Sequence, residues 1–224
     1  MLLVAIGLLA VALVVVSRRR PGAAKAIRLT LGIAIAVNEL IWWTFRYSHE
    51  GFRFPNNVPL QLCDMTVWTS VLACITLNNS SVEFSYFAGI AGAGMALLTP
   101  DLWSPWPTYP AIYFFLAHGG IVIAAIVLVF GRISPLRRNA VWRAFGLLLI
   151  YASLVGLFDK IFHTDYMYLC AKPKNASLLD MLGPWPVYLA GTAVVTLVLF
   201  FLLWIPARKL FVSQMIEIDQ RAKH

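Results

Sequence analysis

Charge is what this sequence lacks. Only 12% of its 224 residues are charged and just 10 are acidic, while 60% are hydrophobic. A soluble domain carries about a quarter charged residues, so this much apolar surface has to face lipid. Cysteine is scarce too. Cys63, Cys74 and Cys170 are odd in number and have no metal-type spacing, so neither a disulfide framework nor a zinc motif is indicated. No cofactor or metal is expected from ligand spacing. No basic soluble face accompanies the formal net charge of +8, which removes nucleic acid as a partner. The first residues have no basic region ahead of the apolar run and no small-residue cleavage site, so they read as a retained span, not a signal peptide.

What is present is a succession of long apolar runs. A span needs about 20 residues at roughly 1.5 Å each. Seven stretches qualify, at about 1–17, 26–45, 59–77, 83–99, 110–130, 140–158 and 184–206. The expected fold is all-α: a seven-transmembrane helix bundle forming a single domain over 1–224, with short loops. Basic residues orient it. With the N-terminus outside, thirteen of the eighteen Lys and Arg fall on the cytoplasmic side, the last of them Lys209, Arg221 and Lys223. Arg46, Arg53, Lys160, Lys172 and Lys174 remain outside. This predicts a multi-pass protein of the plasma or inner membrane with a cytoplasmic C-terminus. The tail 214–224 is expected to be a frayed helix end. Trp42, Trp43, Trp103, Trp106 and Trp185 then lie near the outer interface, where indole rings are favoured. The fourth span is dense in small residues (Ala88, Gly89, Ala91, Gly92, Ala93, Gly94, Ala96), which let helices approach closely. Asn78 to Ser81 reads as a turn.

Polar and ionisable groups inside a span are costly and mark function. Here they are Asn38 and Glu39 in the second span, Cys63 and Asp64 in the third, and His118 in the fifth. Glu39 lies about 9 Å in from Phe45, Cys63 about 6 Å in from Pro59 and His118 about 12 Å in from Pro110. All three fall in the outer half of the bilayer. An imidazole can take a proton from a thiol, and a carboxylate can orient the imidazole. The set Cys63, His118 and either Glu39 or Asp64 therefore reads as a candidate catalytic group that attacks a lipid ester and holds the acyl chain as a thioester. Taken singly, each residue is equally a packing group, and Glu39 also reads as structural glue to Arg46 or His118. The outer loops 99–107, which includes Asp101, and 159–183 are long enough to line a site. Cys170 in the second of these is a possible disulfide partner for Cys63 in an oxidising compartment.

Two segments carry a resemblance. One is Pro59-Leu60-Gln61-Leu62-Cys63-Asp64. The other is Asp165-Tyr166-Met167-Tyr168-Leu169-Cys170-Ala171-Lys172-Pro173, followed by Ser177-Leu178-Leu179-Asp180-Met181-Leu182-Gly183-Pro184-Trp185-Pro186. Both resemble the YwaF-like bacterial integral membrane proteins. That family is similar to an animal transmembrane acyltransferase that makes polyunsaturated ether phospholipids and, more distantly, to membrane hydrolases of fatty-acid esters. The resemblance implies a nucleophile at Cys63 and a base at His118, with membrane phospholipid and lysophospholipid as partners. Asp165 and Cys170 depart from the family pattern, where Asn and Arg or a polar residue are usual. The expected function is a lipid acyltransferase or transacylase. Asn38, Tyr166, Tyr168, Lys172, Asp180 and Trp185 are the expected substrate-binding residues, and Lys172 the expected phosphate contact. The rivals are a lipid-ester hydrolase using the same site, a transporter using Glu39, Asp64 and His118 as a proton or cation path, and a sensor without chemistry. A transporter would spread polar groups through the full depth of the membrane. A retinal receptor would need a lysine in the seventh span, which is absent.

Overall fold

The structure is a computed structural model that describes residues 1–100, 102, 104–173 and 178–222, apart from the side chains of 178 and 209–222. The expectations placed on Asp101, Trp103, Lys174, Ser177, Lys223 and His224, and on the side chains of Lys209 and Arg221, lie outside the described residues.

Seven long helices, two short 3-10 turns (Tyr166–Tyr168 and Leu178–Leu182) and no strand are found among the described residues. They are α1 (Leu2–Arg19), α2 (Pro21–Glu50), α3 (Leu62–Thr76), α4 (Asn79–Leu98), α5 (Tyr109–Phe130), α6 (Ala140–Phe162) and α7 (Val187–Ala222). Six are long and apolar enough to cross a membrane, and α3, at 15 residues, is a shorter apolar helix among them. The result is an all-helical, roughly seven-helix membrane bundle. The end carrying the α2–α3 and α6–α7 connections is called the mouth end below.

Several boundaries differ from the expected ones for local reasons. α3 begins at Leu62, three residues beyond Pro59. Gln61 and Asp64 form a reciprocal capping box there, in which the Asp64 carboxylate accepts from the Gln61 N–H at 2.9 Å. The Asn78 to Ser81 turn is instead a helix start. The Asn78 side chain accepts from the N–H groups of Ser80 and Ser81. α4 then carries a π-helical turn over Ser85–Gly89, a single-turn bulge inside an otherwise α-helical span. α7 runs on through Pro206 to Ala222, so the backbone of the tail up to that residue is helical.

The core lies between α2, α3, α4, α5 and α6, around Cys74, Phe87, Ile121, Ala124 and Val67. Two glycines set the spacing. A Cβ on Gly32 of α2 would stand 2.8 Å from the Cys74 Cβ of α3, and one on Gly89 of α4 would stand 2.8 Å from Ile121 Cγ2 of α5. Only glycine allows these approaches. Away from the mouth, Glu83 of α4 is 1% exposed and accepts from Arg137 and Arg143 together, at 2.7 to 3.2 Å. Arg28 donates to the Cys74 and Ile75 carbonyls at the C-terminal end of α3. Arginines expected only to set topology thus also tie helix ends together. Trp42 departs from interfacial anchoring. It is 6% exposed and stacks on Tyr113 at 4.2 Å, whereas Trp106 and Trp185 are exposed.

Candidate active site

Residues of α3 and α5 meet at the mouth end. Cys63 is the second residue of α3, where the positive end of the helix dipole favours developing negative charge. His118 lies two and a half turns into α5. Its Nε2 is 3.2 Å from Cys63 Sγ. Its Nδ1 is 2.8 Å from the carbonyl oxygen of Phe114, one turn earlier on the same helix. A carbonyl can only accept, so Nδ1 carries the hydrogen and Nε2 of the neutral ring presents its lone pair to the thiol. Phe114 also packs against the ring, with centroids 4.2 Å apart. One turn of helix therefore fixes both the tautomer and the ring plane.

The two acids lie elsewhere in the hydrogen-bond pattern. Glu39 is 0% exposed, and its oxygens accept from Trp43 Nε1 and from the Tyr113 hydroxyl, each at 2.7 Å. Asp64 is half of the α3 capping box. Neither is hydrogen-bonded to His118. The orienting role expected of one of them falls to the Phe114 carbonyl, because an i−4 carbonyl is already in place on the helix. Glu39 holds α2 to α5 through Tyr113 and does not pair with Arg46, which bonds Glu50 instead.

The capping box has a consequence for Cys63. The Gln61 side chain takes the Asp64 N–H, and the Gln61 carbonyl takes the Met65 N–H at 3.3 Å. The N–H groups of Leu62 and Cys63 are left without partners among the described residues, beside the sulfur. First-turn amides of a helix ordinarily lack an intrahelical acceptor, and such donors can interact with negative charge that develops near them.

Cys63 is partly exposed and opens into a cavity of about 1540 Å³. One wall is α6, from Phe145 to Lys160. The other is α7, from Tyr188 to Thr196, with Trp185 just ahead of it, and the roof is the 163–171 loop. The sixteen residues from Phe145 to Lys160 span about 22 Å of helix, from the mouth deep into the apolar zone. The loop is strapped down. Tyr166 donates its hydroxyl to the Pro55 carbonyl at 2.7 Å and accepts from the Val58 N–H at 3.0 Å, while the Met167 N–H donates to Gln61 Oε1 at 3.1 Å. Burial pushes the Tyr166 phenol above its ordinary range, which keeps it a donor.

The expected substrate-binding residues separate into two groups. Tyr166, Tyr168 and Trp185 line the cavity. Of these, Tyr166 has its hydroxyl committed to the strap, Tyr168 gives its carbonyl to the Tyr188 hydroxyl, and Trp185 donates to the Leu169 carbonyl at 3.1 Å. Lys172, Asp180 and Asn38 do not line it. Lys172 sits 3.5 Å from Asp180 and over the Tyr188 ring, so the expected phosphate contact is occupied within the loop. Asn38 has a buried amide nitrogen with no hydrogen-bond partner. Lys160 and His163, not singled out from sequence as site residues, stand at the cavity mouth. All three cysteines are free, so Cys170 does not block Cys63.

The model of the TMEM164 family matches residues 1–204, and the chain belongs to that family of membrane proteins. No curated protein and no solved structure matches it.

Proposed function

We propose that this member of the TMEM164 family is a membrane-embedded lipid acyltransferase or transacylase, working through a thioester on Cys63. The observation that carries the reading is the 3.2 Å contact between Cys63 Sγ and an imidazole nitrogen whose tautomer leaves it free to accept, at the wall of a cavity that runs into the apolar zone. The resemblance to YwaF-like proteins points the same way.

His118 Nε2 takes the Cys63 proton, and the thiolate attacks the ester carbonyl carbon of a glycerophospholipid. A C–S bond forms, and the carbonyl oxygen gathers negative charge facing the Leu62 and Cys63 N–H groups. Collapse breaks the ester C–O bond, and the proton on Nε2 goes to the departing lysolipid oxygen. The hydroxyl of a lysolipid acceptor then attacks the thioester while Nε2 takes its proton, and the thiol is restored. Water in place of the acceptor gives the hydrolase variant. The Phe114 carbonyl stabilises the imidazolium at each step by accepting from Nδ1. The cavity between α6 and α7 houses the acyl chain, and the mouth residues lie at headgroup level. The N-terminus faces outside, so the site opens to the external leaflet of the plasma or inner membrane.

The test is to incubate the purified protein in lipid nanodiscs with phospholipid and lysophospholipid, following products by mass spectrometry beside Cys63→Ala and His118→Ala. Acyl exchange in the parent, its loss in both variants and a trapped acyl adduct on Cys63 support the proposal. Exchange that survives Cys63→Ala overturns it.

A further inference from the structure

Acyl transfer leaves one group at the cavity mouth without a task. Asp159, on the last turn of α6, is 1% exposed. Its Oδ1 accepts from Thr164 Oγ1 at 2.6 Å and from the Tyr166 N–H at 3.0 Å, which fills that oxygen. Its Oδ2 is buried with no hydrogen-bond partner. Asp165 Oδ1 accepts from the Cys170 and Ala171 N–H groups at 2.9 and 3.1 Å, turning the loop back on itself. The turn brings the Cys170 sulfur home to the two acids. One carboxylate oxygen from each aspartate and the Cys170 sulfur lie within 4.8 Å of one another. No described Lys, Arg or His forms an ion pair with either carboxylate.

A buried carboxylate oxygen without a partner is costly, and a second carboxylate nearby adds repulsion. A cation at the shared focus removes both penalties. The donors choose its class. Calcium and magnesium take shells of oxygen ligands and do not favour sulfur. A thiolate beside two carboxylates suits a borderline divalent ion of zinc type, bound at short range with a position open to solvent.

We propose that Asp159, Asp165 and Cys170 form a binding site for a single zinc ion at the mouth of the cavity. Binding displaces the Cys170 proton to water and forms the metal–sulfur bond. The ion would pin the roof loop to the end of α6, beside Lys160 and His163. Sequence spacing gave no hint of it, because the Asp159, Asp165 and Cys170 intervals match no metal motif. Only the turn made by Asp165 brings the three together.

The full-length protein in nanodiscs is loaded with zinc, desalted and assayed for bound metal, with cobalt(II) as the spectroscopic probe. The expected result is one ion per chain and a thiolate-to-cobalt charge-transfer band in the near ultraviolet. Asp165→Asn keeps the Oδ1 acceptor and so the loop turn, but should weaken binding by about tenfold or more. Cys170→Ser, at an exposed position, should abolish the band. Cys63→Ala should leave both readouts intact. Substoichiometric metal, a band that survives Cys170→Ser, or one lost in Cys63→Ala overturns the proposal, the last by moving the ion to the Cys63–His118 pair. Bound metal is counted without turnover, so this result is independent of whether acyl transfer occurs.

Discussion

Glu39 distinguishes a carboxylate that works on the histidine from one that holds the helices. Its side chain is fully buried and accepts two hydrogen bonds of 2.7 Å, from Trp43 and Tyr113. Glu39→Ala removes both and leaves an indole N–H and a phenol O–H unsatisfied. At about 1–3 kcal/mol for each orphaned group, the expected loss is about 2–6 kcal/mol of stability. Glu39→Gln is the informative variant. Its oxygen can accept from Trp43, and its amide nitrogen can donate to the Tyr113 oxygen, so both neighbours keep a hydrogen bond without the charge and only the phenol O–H loses its acceptor. The His118 tautomer, set by Phe114, is untouched. We expect Glu39→Gln to melt between the parent and Glu39→Ala and to retain acyl exchange within a few-fold. Thermal unfolding followed by tryptophan fluorescence and lipid mass spectrometry on the same nanodiscs give the two readouts. A loss of about 100-fold or more in Glu39→Gln, at a temperature where its melting curve shows it folded, is the size of a general acid–base contribution. That outcome would refute a purely structural Glu39 and restore the carboxylate to the proton chemistry.

Three further outcomes are expected. His118→Ala should lower acyl exchange by about 10²–10⁴-fold, the range for a general base, with little change in melting; labelling of Cys63 by a thiol reagent should slow in parallel. Glu83→Ala should cost about 1–3 kcal/mol, because Arg137 and Arg143 lose the buried carboxylate that binds both while their own half-buried guanidinium groups regain part of that loss from solvent; an unshifted thermal midpoint would contradict the network. Gly156→Trp should abolish exchange while Cys63 remains reactive to a small thiol reagent. A Cβ at that cavity-lining position meets only Leu169 Cδ1 at 3.6 Å, so the backbone tolerates a side chain and the added bulk enters the cavity. Full exchange in Gly156→Trp would mean that the acyl chain lies elsewhere.

Hydropathy and polar outliers carried the expectations a long way along the membrane normal and little way around each helix. A lipid environment demands long apolar runs, so the helices were legible, and counting residues from the span ends put Cys63 and His118 at matched depth. Depth does not fix direction. The face that α3 turns toward α2 depends on Gly32 meeting Cys74, and a glycine gives no signal in a hydropathy scan. Partner choice was illegible for the same reason. Glu39 had several polar residues within reach along the chain, and only the packed arrangement selects Trp43 and Tyr113. Glu83 was read merely as the start of a span, because its arginines lie more than fifty residues away.

The loop motif shows the opposite bias. Its unusual residues promised contacts with a ligand, yet several turn out to make the loop itself. Tyr166 straps it to the α2–α3 connection, and Lys172 pairs with Asp180. A loop that must roof a membrane cavity meets neighbouring helices only at its edge, through contacts such as Tyr166 to Asp159 of α6 and Tyr168 to Tyr188 of α7. Its polar groups have to supply the rest of its order from within, and a sequence rich in them reads like a binding surface whether or not any side chain is left over. The surplus is what the two proposals rest on: the buried oxygen of Asp159 and the lone pair of His118 Nε2 are not consumed by the fold.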